Sequence, residues 1–356
     1  MRMNARENVL SLLRREPYEW VPVEFSLCPA LVEIYQKNTG EKIPYQEYFS
    51  MPWRPIEDIK PLEEKNDYTG YYRSLKPGSQ IDLWGVAHEP GSEAAKHMTY
   101  MRNPLKGIDS LSEIKAYPLP DFAGGEVSHQ TLQAEEIRRQ GFAVMGSMQC
   151  TIWETAWYIR GMEDLMMDMM SEDPIAEYLL DAVTERAVIR ASAFARAGAD
   201  LLFLGDDIGM QKTPMMSTAL YCQWLKPRLK QVISAAKAIN PDIIVLYHSC
   251  GFAEPFIPHL IEAGVDVLNP VQPESMEFAR IYNEFGGKIS FHGTIGTQTV
   301  MPYGTPEDVR KTVFAHMEIA KKYGGLFPAP AHLLEPEVPW ENIMAYIKAC
   351  QDYSIV

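Results

Sequence analysis

The sequence predicts an α/β protein, a (β/α)8 TIM barrel with an N-terminal extension and an irregular segment over residues 40–125. Three observations predict it. From residue 142 onward, short apolar strands alternate with amphipathic helical stretches across short connections, the pattern of a parallel sheet with right-handed crossovers. No Gly-rich turn follows the first strand, as it would in a doubly wound nucleotide-binding sheet. Finally, Asp206, Asp207, His248, Cys250, Asn269, Gln272, His292 and His332 all fall at or just past strand C-termini. That is the face on which barrels build active sites.

The elements follow in order. Val9, Leu10, Leu12 and Leu13 have helical spacing, Pro17 ends that helix, and Val21–Phe25 reads as a strand. Residues 40–125 are rich in Pro, Gly and Tyr with weak periodicity, and an eighth strand is expected to hide there. Phe142–Gly146 reads as a strand, and helices are expected from about Trp153 to Met170 and from Pro174 to Ala197. Strand Ala199–Leu204 precedes a helix from about Thr218 to Ile239, and strand Ile243–Tyr247 precedes one near Ala253–Ala263. Asp266–Leu268, Lys288–Phe291 and Leu326–Phe327 are strands, followed by helices near Ser275–Phe285, Thr305–Tyr323 and Pro339–Cys350.

A chain of 356 residues is within reach of one large barrel, so residues 1–356 are expected to form a single domain, and 46% hydrophobic residues supply its core. The formal charge of −14 argues against nucleic acid as a partner, because that surface must be basic. No run approaches the roughly 20 apolar residues of a membrane span, and the opening Met-Arg-Met-Asn-Ala-Arg lacks the apolar stretch of a signal peptide. The five cysteines are widely scattered, which fits a reducing compartment, and a cytoplasmic location is expected. The run Met162, Met166, Met167, Met169 and Met170 reads as flexible core filler on an amphipathic helix.

The chemistry concentrates in two strings, Tyr247-His248-Ser249-Cys250-Gly251 and Pro328-Ala329-Pro330-Ala331-His332. Residues two apart on an extended strand share a face, so His248 and Cys250 project together. With His332 they offer two imidazoles and a thiolate, a set that suits a zinc ion with its fourth position open. A pair of core side chains is the alternative for His248 and Cys250 taken alone. Asp206 and Asp207 are candidates for a fourth ligand, a general base or a hydrogen-bonded support for a ligand histidine, and at least one is expected to cap a turn. His292 is a candidate pocket donor or a buried histidine bonded to backbone. Glu154 suits a helix N-terminus, and Asp82-Leu-Trp-Gly85 suits either a lid over the barrel mouth or an ordinary turn. There is no phosphate-binding Gly-x-x-x-x-Gly-Lys-Ser/Thr string and no Asp-x-His-x-x-Gly string of a cobalamin-binding domain.

Over nearly its whole length the chain resembles the uroporphyrinogen decarboxylase superfamily. The strings that carry the resemblance are Asp82–Gly85, Trp153–Gly161, Pro214–Lys230, His248–Gly251, Gly324-Gly325 and Pro336–Ile343. The resemblance implies a (β/α)8 barrel and one of two chemistries. Decarboxylases of four-ring tetrapyrroles need an arginine-rich string after the first strand, yet no arginine occurs between Arg15 and Arg54. Corrinoid-linked methyltransferases that act on coenzyme M carry His-x-Cys plus a late Cys as zinc ligands. Here His248 and Cys250 match and His332 stands at the late position.

The resemblance therefore implies a zinc-dependent methyltransferase moving a methyl group between a small molecule and a corrinoid (cobalamin) carried by a partner protein. Its metal ligands would be His248, Cys250 and His332, with Asp206, Asp207 and His292 as catalytic candidates. Methyl ethers rank first as the small molecule, because one thiolate and two imidazoles leave zinc more positive than two thiolates would; thiols and folates follow. A metal-free decarboxylase-type lyase and a non-catalytic corrinoid or folate binding protein are the alternatives. A homodimer is admitted but not required.

Overall fold

The computed structural model describes residues 2–62, 66–92 and 98–355. Its strands are β1 (Trp53–Pro55), β2 (Gln80–Ile81), β3 (Ala87–Pro90), β4 (Thr99–Arg102), β5 (Ala143–Gln149), β6 (Leu201–Gly205), β7 (Ile244–His248), β8 (Val267–Asn269), β9 (Ser290–Ile295) and β10 (Leu326–Pro330). Seven of them form one parallel sheet in the order β1-β5-β6-β7-β8-β9-β10, with helices between successive strands from β5 onward. This is the curled α/β sheet of a TIM-barrel-type fold. The burial pattern of β7, four buried residues before His248, reflects strands covered on both faces.

The barrel departs from expectation at its seam. Val21–Phe25 forms no ladder; β1, hidden in the irregular segment, pairs with β5 instead. Segment 21–27 remains extended beside β10. The Tyr346 hydroxyl joins Glu24 O at 3.0 Å and Pro328 O at 2.9 Å, and Leu27 makes a single parallel bridge with Leu334. A side-chain hydroxyl thus substitutes for much of the missing ladder. The irregular segment also holds a small antiparallel sheet, β2-β3-β4. Asp82-Leu-Trp-Gly85 forms the β2–β3 turn, with Asp82 Oδ1 accepting the N–H of Trp84 (2.9 Å) and of Val86 (3.0 Å). It is a packed turn of that sheet.

Two long helices expected from periodicity are each split. Gly161 (φ 96°) separates Trp153–Arg160 from Met162–Met170, and Leu225 separates Thr218–Trp224 from Lys226–Ile239, where Pro227 lies in the first turn. Amphipathic spacing continues across both breaks, so hydrophobic pattern alone does not mark them. Of the methionines on the first pair, Met169 is buried whereas Met167 and Met170 are exposed.

The N-terminal helix, Ala5–Leu13, closes one end of the barrel. Its Val9, Leu10, Leu12 and Leu13 pack with Trp53, Ala143, Leu201, Ile244, Val267 and Phe327, mostly residues near strand N-termini. Arg6 pins the plug through a two-bonded pair with Asp200 (2.9 and 2.7 Å). The opposite, C-terminal mouth is not covered by this helix.

His316, mostly buried on helix Pro306–Ala320, makes a hydrogen bond to Thr294 Oγ1 at 3.0 Å. Burial lowers its pKa from 6.5 to about 4. The unfolded chain therefore binds a proton first, so stability present above pH 6.5 is lost as pH falls toward 4. The expected loss is about 3 kcal/mol, and His316→Phe should flatten that part of a urea-denaturation pH profile.

Candidate active site

Strand register builds the site. Gly205 of β6 pairs with His248 of β7, and His248 pairs with Asn269 of β8, so three adjacent strands end in one layer. Gly205 is needed there, because a Cβ at that position would stand 2.7 Å from the Cβ of His248. The chain leaves β7 through Ser249, Cys250 and Gly251. Gly251 has φ 75°, and a Cβ on it would lie 2.6 Å from Met210 O and 2.7 Å from Gly209 O. This tight turn brings the Cys250 thiol back toward His248.

Among the described residues, Asp207, His248 and Cys250 bring their ligand atoms within 4.8 Å of one another. Cys250 Sγ lies 3.4 Å from His248 Nε2, which lies 3.6 Å from Asp207 Oδ1. The same Asp207 oxygen accepts the Cys250 backbone N–H at 2.7 Å, so it also holds the loop. His332 is outside this group. Its ring centroid is 6.3 Å from that of His248, it is exposed, and it faces the same cavity.

The two neighbouring aspartates do different things. Asp207 faces the site. Asp206 is buried and turned away, accepting the N–H of Ile152 (3.1 Å) and of Glu154 (2.9 Å) at the start of helix Trp153–Arg160. Burial raises its pKa well above the usual carboxylate range, and nearby Glu154 adds to the shift. Glu154 supports Asp207 from behind: it accepts the Asp207 N–H at 3.1 Å and the Tyr158 hydroxyl at 2.8 Å. Its own carboxyl is pushed up by burial and then by Asp207.

Behind His248 runs a side-chain relay that sequence reading did not assemble. Asn269 Nδ2 donates to the backbone carbonyl of His292 at 3.0 Å, and a carbonyl can only accept, which fixes the way the amide faces. Asn269 Oδ1 then accepts from His248 Nδ1 at 2.6 Å. Nδ1 carries the proton, and His248 Nε2 presents a free lone pair toward Cys250 and Asp207. Burial lowers the pKa of His248, against the opposing pull of Asp207, which favours this neutral imidazole. Burial pushes the Cys250 thiol up, with Asp207 adding to it.

Asn269 Nδ2 also meets His292 Nδ1 at 2.7 Å, so that nitrogen accepts and His292 Nε2 carries the proton. Glu24 Oε2 lies 3.1 Å from Nε2, yet Nε2 has no hydrogen-bond partner, because the carboxylate is off the N–H direction. Glu24 escaped the sequence reading. The one available signal was an acid inside the apolar run Val21-Pro-Val-Glu-Phe25.

A cavity of about 290 Å³ opens at this mouth, lined among others by Glu24, Phe203, His248, Asn269, His292 and His332. No lysine or arginine is among its described lining residues. The barrel thus ends in a polar mouth where an oriented imidazole, a thiol and a carboxylate converge and a second imidazole faces them. Residues 96–353 match the Uroporphyrinogen decarboxylase (URO-D) family, and the chain belongs to that family.

Within it, the chain is similar to the Methylcobamide:CoM methyltransferase MtaA of Methanosarcina barkeri, 24% identical over 177 residues, or 50% of this chain and 49% of that protein. It is 23% identical over 177 residues to the protein of the same description from Methanosarcina barkeri (strain Fusaro / DSM 804), again 50% of this chain and 49% of that one. The chain spans about half the length of these curated relatives. A solved methyltransferase from Methanosarcina mazei shares the fold at a TM-score of 0.70 and 17% identity, covering 98% of each chain. No helix among the described residues is long and apolar enough to cross a membrane.

Proposed function

We propose that this chain is a methyltransferase that moves a methyl group between a small molecule and a corrinoid carried by a separate protein. A zinc ion at His248 and Cys250 would serve the small-molecule side. The observation that carries this reading is the meeting of His248 Nε2, Cys250 Sγ and Asp207 Oδ1 at the open barrel mouth, with the proton held away on Nδ1. The likeness to corrinoid-using methyltransferases supports the reaction class.

The donor set fits zinc: a neutral imidazole nitrogen, a thiol sulfur, and oxygen or a second imidazole nearby. His248, Cys250 and His332 are the proposed ligands. Asp207 is the positioning group, since its Oδ1 already holds the Cys250 N–H. When bound, zinc would supply Lewis acidity to an ether oxygen or lower the pKa of a thiol. The chain's own residues do the rest. Asn269 holds the His248 proton on Nδ1, Asp207 and Glu154 brace the loop, and His292, a lining residue whose Nε2 carries the proton, would be the donor to a leaving oxygen. The cavity offers a polycarboxylate no lysine or arginine among its described lining residues, which disfavours the decarboxylase reading.

The ligand assignment has a separable test. His332→Ala should weaken zinc binding by more than about a hundredfold, and Asp207→Asn by about tenfold to a hundredfold, the scale for supporting residues. Chelator competition measures both. Unchanged affinity in His332→Ala would move the third ligand place to Asp207. The reaction itself is tested by mixing enzyme, cob(I)alamin and a panel of methyl ethers, thiols, betaines and methyltetrahydrofolate. Formation of methylcobalamin, seen in the visible spectrum, is expected from at least one donor, with methyl ethers first. No corrinoid methylation from any donor, and no demethylation of methylcobalamin, would remove the proposal.

A further inference from the structure

The cavity beside His248 is also lined by a buried donor that lacks a hydrogen-bond partner and by a carboxylate next to it. His292 is 5% exposed, yet its Nε2 has no hydrogen-bond partner. Its Nδ1 accepts from Asn269, so Nε2 is an N–H donor. The Glu24 carboxylate, an acceptor, stands 3.1 Å away from that nitrogen but off its N–H direction. A buried donor without a partner is destabilising, and a bound group that pairs with it recovers that cost. Donor and acceptor stand side by side on one wall. A hydroxyl matches both: its oxygen accepts from His292 and its proton goes to Glu24.

The charges around the cavity narrow the choice further. Glu24 lines it, Asp207 stands beside His248, and no lysine or arginine is among the described lining residues. The adjoining cavity, which shares Glu24 and Ser26, is lined by one described guanidinium, Arg54. It is committed to the carbonyls of Met51 and Trp53, both at 2.7 Å, and stacks on Phe142. In the metal-free protein a sulfonate, phosphate or carboxylate would face Glu24 in the cavity and Asp207 beside His248, with no lysine or arginine among the described lining residues to offset them. Phe203, Pro330 and Leu333 give the wall an apolar part beside the polar Ser26 and Gln149, and the volume suits one ring or a short chain.

We infer that Glu24 and His292 form a recognition subsite for a neutral hydroxyl group on the small-molecule partner, and that the metal-free cavity favours such a group over an anionic one. This rests on the methyltransferase reading only for calling the ligand a substrate. The subsite is defined without metal or corrinoid.

The test is ligand-observed NMR titration of the metal-free chain with 2-methoxyphenol and with 2-methoxybenzoate, which differ in carrying a hydroxyl or a carboxylate on the same ring. The phenol is expected to bind at least about tenfold more tightly. Glu24→Gln should shrink the ratio to within about threefold by weakening the phenol and relieving the benzoate. Equal or tighter binding of the benzoate to the wild-type protein would overturn the inference, and so would absence of saturable phenol binding. The wild-type comparison stands even if the variant fails to fold. Because the readout is binding, a failed transfer assay leaves this result intact, and a failed subsite leaves the transfer proposal standing.

Discussion

Cys250→Ala should purify as a folded barrel that holds less than a tenth of the wild-type zinc and transfers methyl groups at least about a thousandfold more slowly. That is the scale of several kcal/mol of electrostatic stabilisation. The thiol is a proposed ligand at the end of β7, and the side chain lies outside the main packed core. Losing it should therefore leave the midpoint of urea denaturation of metal-free protein within about 0.5 kcal/mol of wild type. Metal analysis and a denaturation curve on the same sample separate the two effects. Full activity in a metal-free Cys250→Ala protein would show that the cluster plays another part.

Asp206→Ala should have the opposite profile. Its carboxylate accepts the N–H groups of Ile152 and Glu154 inside the protein, where water cannot replace it. Removing it leaves both donors unsatisfied and opens space at the head of helix Trp153–Arg160. A loss of about 2–4 kcal/mol in unfolding free energy is expected. Asp206→Asn keeps one acceptor oxygen and should cost less. Asp207→Asn, one residue along, should change stability by less than about 1 kcal/mol while weakening metal binding. Equal destabilisation by the two substitutions would contradict the division of labour between these neighbours.

That division illustrates what the sequence can carry. The Asp206-Asp207 pair was visible at the end of a strand, but alternation says only that the two point to opposite sides. Which one meets the ligands depends on where helix Trp153–Arg160 begins, a relation across more than fifty residues. His248 and Cys250 were readable together because strand spacing is local. Asn269 was readable as a strand-end residue, but its contact with His248 comes from β7–β8 register. Glu24 lay inside an expected strand that forms no ladder. Its neighbour His292 comes from the far end of the chain's topology, so only folding brings the pair together.

The barrel as a class was legible because β5 to β10 alternate regularly with helices. Its seam was not, since β1 is three residues long and ends in proline. A strand this short has no periodicity to read. The split at Gly161 had a local signal in the glycine itself, whereas apolar spacing continued through it.

The central claim is a zinc centre built on one sulfur and an imidazole at the barrel mouth. Zinc-edge X-ray absorption on the zinc-loaded full-length protein tests it most directly. The account predicts one sulfur at about 2.3 Å and the remaining ligands as nitrogen or oxygen at about 2.0–2.2 Å, with imidazole scattering present. A first shell with no sulfur, or one with two or more, would contradict it.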